Sequence, residues 1–267
     1  MKIAGVEISH PEKLIFPKKK ITKLDMAEYY EAVAEKMLPH LKDRPLTLHR
    51  FPDGVDSNGF YQKNAGDYFP DFIKRIKIKT EDGTNEQVIC NTKKSLIYLA
   101  NQGTVSFHTW LCKKDKLHKP DKVVFDLDPP KNSFEKVKDA AQKIGDFLLK
   151  KGKESQVMTS GKNGLHVWYT MRRTKTFDEL REEVKTWAEE MEKEHPDLLT
   201  TAVRKNKRKG KIFIDYLRNA YGQTSVCPYS LRPNTEAGVA LPLDWNDLPK
   251  LKSASQFDLN KIQKKYK

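Results

Sequence analysis

The sequence predicts an α+β protein whose second half is a β-α-β-β-α-β unit, with a smaller N-terminal α/β module packed on it. Three observations lead there. Between residues 122 and 217, apolar runs of strand length alternate with two stretches of helical periodicity. Capping residues, glycines or prolines bound these stretches. Ahead of residue 118, one long amphipathic stretch is followed by several short strand-like runs. These shifts divide the chain into 1–118, an N-terminal module; 119–250, the β-α-β-β-α-β palm; and 251–267, a basic C-terminal tail.

In the first module Thr22 caps a helix over about 23–41, with Asp25 at the capping-box position. Ala27, Tyr30, Ala34, Met37 and Leu41 form its apolar stripe. Strand-like runs follow at 45–51, 72–79 and 86–90, broken by Asp-Gly pairs at 53–54 and 82–83. Their pairing does not follow from the pattern. In the second module a strand at 122–128 leads to Ser133, a good N-cap, and a helix to about Lys151. Phe134, Val137, Ala141, Ile144 and Leu148 line that helix, and Gly152 stops it. Strands at 156–160 and 164–171 are joined by a glycine-containing turn. A helix over 178–194 carries Leu180, Val184, Trp187 and Met191, and a strand at 211–217 closes the set. This ferredoxin-like layout serves polymerase palms and RNA-binding modules alike, so topology alone selects no function.

Composition narrows the partner. Lys plus Arg number 50 against 36 Asp plus Glu, a formal charge of +14 over 267 residues, which favours a polyanion. No apolar run reaches the roughly 20 residues that span a bilayer. The start, MKIAGVEISH, has no signal-peptide core, so the expected location is cytoplasmic and nucleoid-associated. Cys90, Cys112 and Cys227 are scattered, which supports neither a zinc site nor a disulfide framework and predicts buried free thiols.

The chemistry concentrates in a few stretches. In 122-KVVFDLDPP-130, Asp126 and Asp128 share one strand face, with side chains roughly 6–7 Å apart. Two carboxylates so placed repel unless a cation bridges them, and a hard divalent ion suits their oxygens; a solvated strand end is the plainer alternative. Asp215, inside the apolar 211-KIFIDYLRN-219, repeats the oddity on a strand that the unit brings close to the first. Its alternative is a buried ion pair with Arg218. In 159-TSGKNGLHVWYT-170, two glycines and an Asn can expose backbone N–H groups to an anion, with Ser160 and Lys162 adding a hydroxyl and a charge. His166 falls on the face opposite Leu165 and Val167. An ordinary hairpin turn is the alternative, and the spacing is no Walker A. In 49-HRFPDGVDSNGFYQKN-64, Arg50 and Lys63 with Phe60 and Tyr61 suit a nucleic-acid backbone and a stacked base, unless the aromatics are core. The run 204-RKNKRKGK-211 reads as a basic loop over phosphates or a solvated hairpin.

FDLDPP, SGKNGLH, FIDYLRN and 228-PYSLRP-233 resemble, in order and spacing, the polymerase domain of prokaryotic non-homologous end-joining DNA ligases (LigD-type), of the archaeo-eukaryotic primase superfamily. The likeness runs from 9-SHPEKLIFP-17 to 239-VALPLDW-245. It implies a primase-like catalytic core in which Asp126, Asp128 and Asp215 hold two Mn2+ or Mg2+ ions. It also implies that Ser160, Lys162 and His166 bind the nucleotide's phosphates, with Arg218 and Arg232 aiding and His108, in 105-VSFHTW-110, near sugar and phosphates. Lys13 and Lys23 match lysines gripping the 5′-phosphate across a break; Phe60 and Tyr61, with Arg50 and Lys63 nearby, match the template contact. The segment 80-TEDGTNEQV-88 matches a loop used to hold two ends together.

The activity implied is nucleotide addition at short gaps and break ends, preferring ribonucleotides. With no K-x-D-G ligase motif in the chain, the ligase, nuclease and Ku-type end-binding partner are expected on separate chains. Two other readings stay open: a non-catalytic end-binding or synapsis module, and a stand-alone primase-polymerase in gap or excision repair. A metal nuclease fits less well, because hydrolysis has no triphosphate for the SGKNGLH turn to hold.

Overall fold

The computed structural model describes residues 1–80, 83–130 and 133–266. Two short ribbons open the chain: β1 (Lys2–Ile3) with β2 (Val6–Glu7), and β3 (Leu14–Phe16) with β4 (Ile21–Thr22). Helix α1 (Lys23–Leu41) follows, and its capping box forms as expected: Thr22 accepts from the Asp25 N–H while the Asp25 carboxylate accepts from the Thr22 N–H. The predicted stripe of α1 is fully buried. Next come β5 (Pro45–Arg50), β6 (Phe60–Gln62), β7 (Lys74–Thr80), β8 (Gly83–Ile89), α2 (Lys93–Asn101) and β9 (Thr104–Trp110). The palm contributes β10 (Lys122–Asp128), α3 (Phe134–Lys150), β11 (Gln156–Thr159), β12 (Leu165–Thr170), α4 (Phe177–Glu194), β13 (Leu199–Thr200) and β14 (Ile212–Asp215). The chain ends with β15 (Thr224–Val226), β16 (Pro242–Leu243) and α5 (Leu259–Tyr266).

Besides the two ribbons, the described strands form two six-stranded sheets. The first runs β15-β9-β5-β8-β7, with β6 paired on β5; the second runs β13-β14-β10-β12-β11-β16. Within the second, β14-β10-β12-β11 are each antiparallel to the next, and with α3 and α4 they make the predicted palm.

Strand alternation decides where the site lies. Val123, Phe125 and Leu127 turn toward α3 and α4 and join Ile144, Leu148, Leu180 and Val184 in one core. Val124, with Met158 and Trp168, packs from the other face against Trp110 and Val226 of the first sheet. Asp126 and His166 continue that second face beyond the apolar contact. The two sheets therefore part where the acidic strand ends.

The structure departs from the sequence expectations in several places. Ser133 occupies the N-cap position, but its hydroxyl donates to the Pro130 carbonyl instead of capping α3. The last palm strand ends at Asp215, whose carboxylate accepts from the Leu217 N–H and turns residues 216–219 into a 3-10 helix. Trp187 is only partly buried, and Ala188 takes the inner place on α4. The expected tail does not trail away. Leu259 and Ile262 of α5 are buried in the first module's core, together with Cys227, Leu231 and Val239, because an amphipathic helix needs an apolar face to cover. The cores therefore do not follow the sequence boundaries at 118 and 250. In the segment 80–88, Thr80 ends β7 and 83–88 lie in β8, so strand replaces most of the expected loop; Glu81 and Asp82 fall outside the described residues. The three cysteines are buried and free, as expected. No helix of the described residues is long and apolar enough to cross a membrane.

Helix α1 ends in a pH-sensitive contact. His40 stands edge-on to Trp168, ring centroids 5.8 Å apart. Burial, then the charges of Lys122 and Arg44, push its imidazole down to about 4. An unfolded histidine takes its proton near pH 6.5, so the stability from a neutral His40 is present above that pH and lost as pH falls from about 6.5 to about 4. Urea unfolding is expected to show a loss of about 2 kcal/mol between pH 7 and pH 5, with a shallower slope in His40→Gln. Equal slopes in the two proteins would contradict this origin.

Candidate active site

The register of β10 brings the acidic positions together. Asp126 lies directly opposite Asp215 on β14, and Asp128 lies opposite Phe213. The same Asp126 lies opposite His166 on β12. His166 Nε2 is 3.2 Å from Asp126 Oδ1, and its Nδ1 is 3.4 Å from the Ser225 hydroxyl of the first sheet. The imidazole thus spans the cleft between the sheets.

Arg218 sits between the two opposed carboxylates, its Nε 3.2 Å from Asp126 and 3.4 Å from Asp215. Asn219 fixes it there: the Asn219 amide accepts from the Val124 N–H and donates to the Val124 carbonyl, stapling the 3-10 turn onto β10. Burial raises the Asp126 carboxyl, but His166 and Arg218 outweigh it and hold the group well below the carboxylate range. The other two acids go the opposite way. Asp128, accessible at the strand end, is pushed up by desolvation of its carboxyl and then by the like charge of Asp126. Asp215 is pushed up by burial, with Asp126 and Asp128 adding to it against Arg218. In donor chemistry, three carboxylates on neighbouring strands fit hard divalent cations. Among the described residues, however, no three His, Cys, Asp or Glu side chains are already gathered as a ligand set. The one cation between Asp126 and Asp215 here is a guanidinium.

Beside the acids lies a cleft of about 510 Å3, walled by Thr47, Tyr61, His108, His166, Arg218 and Arg232, with Lys63 at its rim. Its Arg218 is paired with Asp126 and Asp215, whereas Lys63 and Arg232 have no ion pair among the described residues. Burial pushes Arg232 down, and burial and then Arg232 push Lys162 down. His108 is held well below its ordinary value by burial and then by Arg232, and burial, Lys162 and Arg232 bring His49 to about 4. Among the described residues, His108 Nε2 and Arg232 Nε are buried without a hydrogen-bond partner. The Arg232 Nε–H is a buried donor left unpaired, which costs free energy that an anionic ligand would relieve.

The turn between β11 and β12 packs on Arg232, one wall of this cleft, while its Lys162 and Asn163 line a neighbouring pocket with Pro129 and Phe134. The Ser160 hydroxyl accepts from the N–H groups of Lys162 and Gly164, closing the turn tightly. Gly161 has φ +68°, and a Cβ there would lie 2.6 Å from Arg232 Cγ. At Gly164 a Cβ would lie 2.2 Å from the Leu127 carbonyl oxygen, so the turn rests on β10 just before Asp128. Gly164→Ala is expected to cost about 1–3 kcal/mol in urea unfolding. A Gly164→Ala protein as stable as wild type would refute the contact.

Of the other expected residues, Lys13 and Lys23 form a second group. Lys23 donates its N–H to the Lys13 carbonyl, which places both lysines side by side at the start of α1. Lys13 pairs with Asp53 at 2.7 Å, whereas the Lys23 ammonium reaches the Ser9 hydroxyl at 3.1 Å. Burial and then Lys13 lower Lys23. Phe60 and Tyr61 point to opposite faces, as neighbours on a strand do. Tyr61 stacks on His49 inside the cleft, centroids 3.9 Å apart and planes at 15°, while Phe60 turns toward Arg50 on the other face.

Sequence reasoning missed Asn219, Ser225, Thr47 and His49. Asn219 was visible as the polar end of FIDYLRN, but the other three lie in strands whose pairing the pattern did not reveal. Arg208 lay within the basic run; it now stacks 3.9 Å over the Phe213 ring, opposite Asp128.

Comparison with known proteins fits this geometry. The family described as LigD, primase-polymerase domain, matches residues 22–267. The bifunctional non-homologous end joining protein LigD of Bacillus subtilis is 34% identical over 253 residues, covering 94% of this chain and 41% of that protein. The multifunctional LigD of Pseudomonas aeruginosa is 31% identical over 260 residues, covering 97% of this chain and 31% of that protein. The chain thus spans well under half of either relative. The solved polymerase domain of Mycobacterium tuberculosis ligase D, in complex with DNA, aligns with a TM-score of 0.91 at 28% identity, covering 97% of this chain and 93% of that one.

Proposed function

The chain belongs to the LigD primase-polymerase domain family, and on that premise we propose that it is a template-directed nucleotidyltransferase. It would add nucleotides, preferentially ribonucleotides, at short gaps and double-strand break ends during non-homologous end joining. The observation that carries this reading is the opposition of Asp126 and Asp215 on adjacent strands, beside a cleft lined by Lys63 and Arg232, which have no ion pair among the described residues.

Asp126, Asp128 and Asp215 would hold two Mn2+ or Mg2+ ions, which when bound supply positive charge at the attacking 3′-hydroxyl and the departing pyrophosphate. The protein's own part is positioning and electrostatics. Lys162, Arg232 and the Ser160 turn would receive the triphosphate, satisfying the buried Arg232 Nε. His108, with its open Nε2, would meet the sugar. His166 would orient Asp126 through the 3.2 Å contact. Arg218 would leave the carboxylates for the phosphates as the ions enter. Lys13 and Lys23 would grip the downstream 5′-phosphate; Arg50, Phe60, Tyr61 and Lys63 would lie along the template. A ligase and a Ku-type end-binding protein would be the partners.

The guanidinium between Asp126 and Asp215 favours one second reading, a DNA end-binding module that performs no chemistry. Primer extension on a short gapped duplex separates the two. The expected result is Mn2+-supported addition, faster with NTPs than dNTPs and stimulated by a downstream 5′-phosphate. Binding without any addition would leave only the second reading. With +14 net charge, affinity for the duplex should fall steeply with salt, and a flat response would count against both.

A further inference from the structure

Two cations proposed for the triphosphate, Lys162 and Arg232, lie on separate loops, and neither has an ion pair among the described residues. Burial and then the charge of Arg232 push Lys162 down, so the two like charges are within range of mutual repulsion. What joins their loops is neutral. The Asn234 side chain donates from Nδ2 to the Gly161 carbonyl at 2.7 Å, and its Oδ1 accepts from the Gly238 N–H at 3.0 Å. The Asn234 backbone N–H donates to the Arg232 carbonyl at 2.8 Å, and the Arg232 N–H donates to the Gly238 carbonyl at 2.8 Å. One amide therefore ties the turn ahead of Lys162 to the turn that carries Arg232.

The tie acts on the peptide unit immediately before Lys162. Its carbonyl is held by Asn234, and its N–H, that of Lys162, donates to the Ser160 hydroxyl at 3.3 Å. Both ends of the unit are thus fixed, one of them by a residue 73 positions away. The approach is close: a Cβ on residue 238 would clash with the same Gly161 oxygen, and one on residue 161 would lie 2.6 Å from Arg232 Cγ. Without Asn234 the Gly161–Lys162 peptide would be free to rotate, because glycine imposes little restraint of its own. Rotation would put a carbonyl oxygen, which repels phosphate, where the N–H now points.

We propose that Asn234 is a positioning residue for nucleotide binding: it holds the Gly161–Lys162 peptide and the Arg232 turn at a fixed spacing, so that both cations meet one triphosphate. This rests on the proposed polymerase reading. The kind of side chain follows from the task. The clamp needs one donor and one acceptor, which a carboxamide has and a carboxylate lacks. It must also be uncharged, because an aspartate beside Lys162 and Arg232 would attract both cations and compete with the phosphates for them.

The test compares wild type, Asn234→Asp and Asn234→Ala in two measurements: primer extension on a gapped duplex, and calorimetric binding of an NTP analogue that resists cleavage between its α- and β-phosphates. Asn234→Asp is expected to raise both KM for NTP and Kd for the analogue about tenfold or more, with kcat at saturating NTP within about threefold and duplex affinity unchanged. Asn234→Ala should raise KM and Kd about five- to tenfold. Glu236→Gln, which removes only the exposed pairing of the same turn with Lys18 and Lys19, should stay within about twofold of wild type in both. A merely structural Asn234 would lower the folded fraction, and with it kcat, at unchanged KM. That result, or wild-type KM and Kd in both Asn234 variants, would overturn the role. Analogue binding by wild type without any extension would defeat the polymerase reading, and the Kd comparison would still decide the part played by Asn234. Extension by wild type with no Asn234 effect would defeat the positioning role alone, and a wild type that binds no analogue would defeat both.

Discussion

Asp126→Asn is expected to slow nucleotide addition by about 10³-fold or more, while duplex affinity stays within about twofold. The substitution keeps the shape of the side chain and removes one charge at the meeting point of three strands. Asp126 faces His166 on one side and Asp215 on the other, and its carboxylate is the common partner of His166 and Arg218. An amide there cannot bind a hard divalent ion comparably, and it frees Arg218 to close on Asp215 alone. Because the DNA contacts proposed for Lys13, Lys23 and Tyr61 lie on other elements, binding should survive. Single-turnover extension, anisotropy and a thermal melt of the same preparation measure the three consequences. Addition at near wild-type rate by a folded Asp126→Asn protein would end the assignment of this site, and Asp128→Ala should behave in the same direction.

Lys23→Ala is expected to weaken binding of a gapped duplex by about 10- to 100-fold when the downstream strand carries a 5′-phosphate, with little change for a 5′-hydroxyl. Lys23 is 7% exposed and meets the neutral Ser9 hydroxyl, where its neighbour Lys13 already has Asp53. A partly desolvated ammonium that meets only a neutral acceptor gains most from an incoming dianion. Lys13→Ala should cost less, because its charge is shared with an exposed carboxylate. The decisive comparison is between duplexes: a loss of equal size with 5′-hydroxyl DNA would show that Lys23 supports the fold at the start of α1 and not the phosphate.

How far the site could be read in advance depended on the range of the interaction involved. Period-two alternation alone put Asp126 and Asp128 on one face and His166 opposite Leu165, and β10 and β12 obey it. The capping box of Thr22 and Asp25 is a three-residue event and was legible as such. Ser133 shows the limit of that logic: a residue with the right chemistry at the right position used its hydroxyl on Pro130 once the preceding turn was in place. The expected tail failed for the opposite reason, since α5 looks polar along the chain but finds the apolar surface of α1 in space.

By itself, then, the sequence determined the order and kind of the palm's elements, the surplus of positive charge and the identity of the acidic side chains, because each depends on neighbours a few residues away. Only the tertiary structure decided that Asp126 faces Asp215, that Arg218 stands between them, that Ser225 of the other sheet reaches His166, and that Phe60 and Tyr61 serve opposite faces. Those contacts join residues as far as 92 positions apart. Their partners are chosen by sheet register and by the packing of Trp110, Val124 and Trp168 between the sheets, which no local pattern encodes.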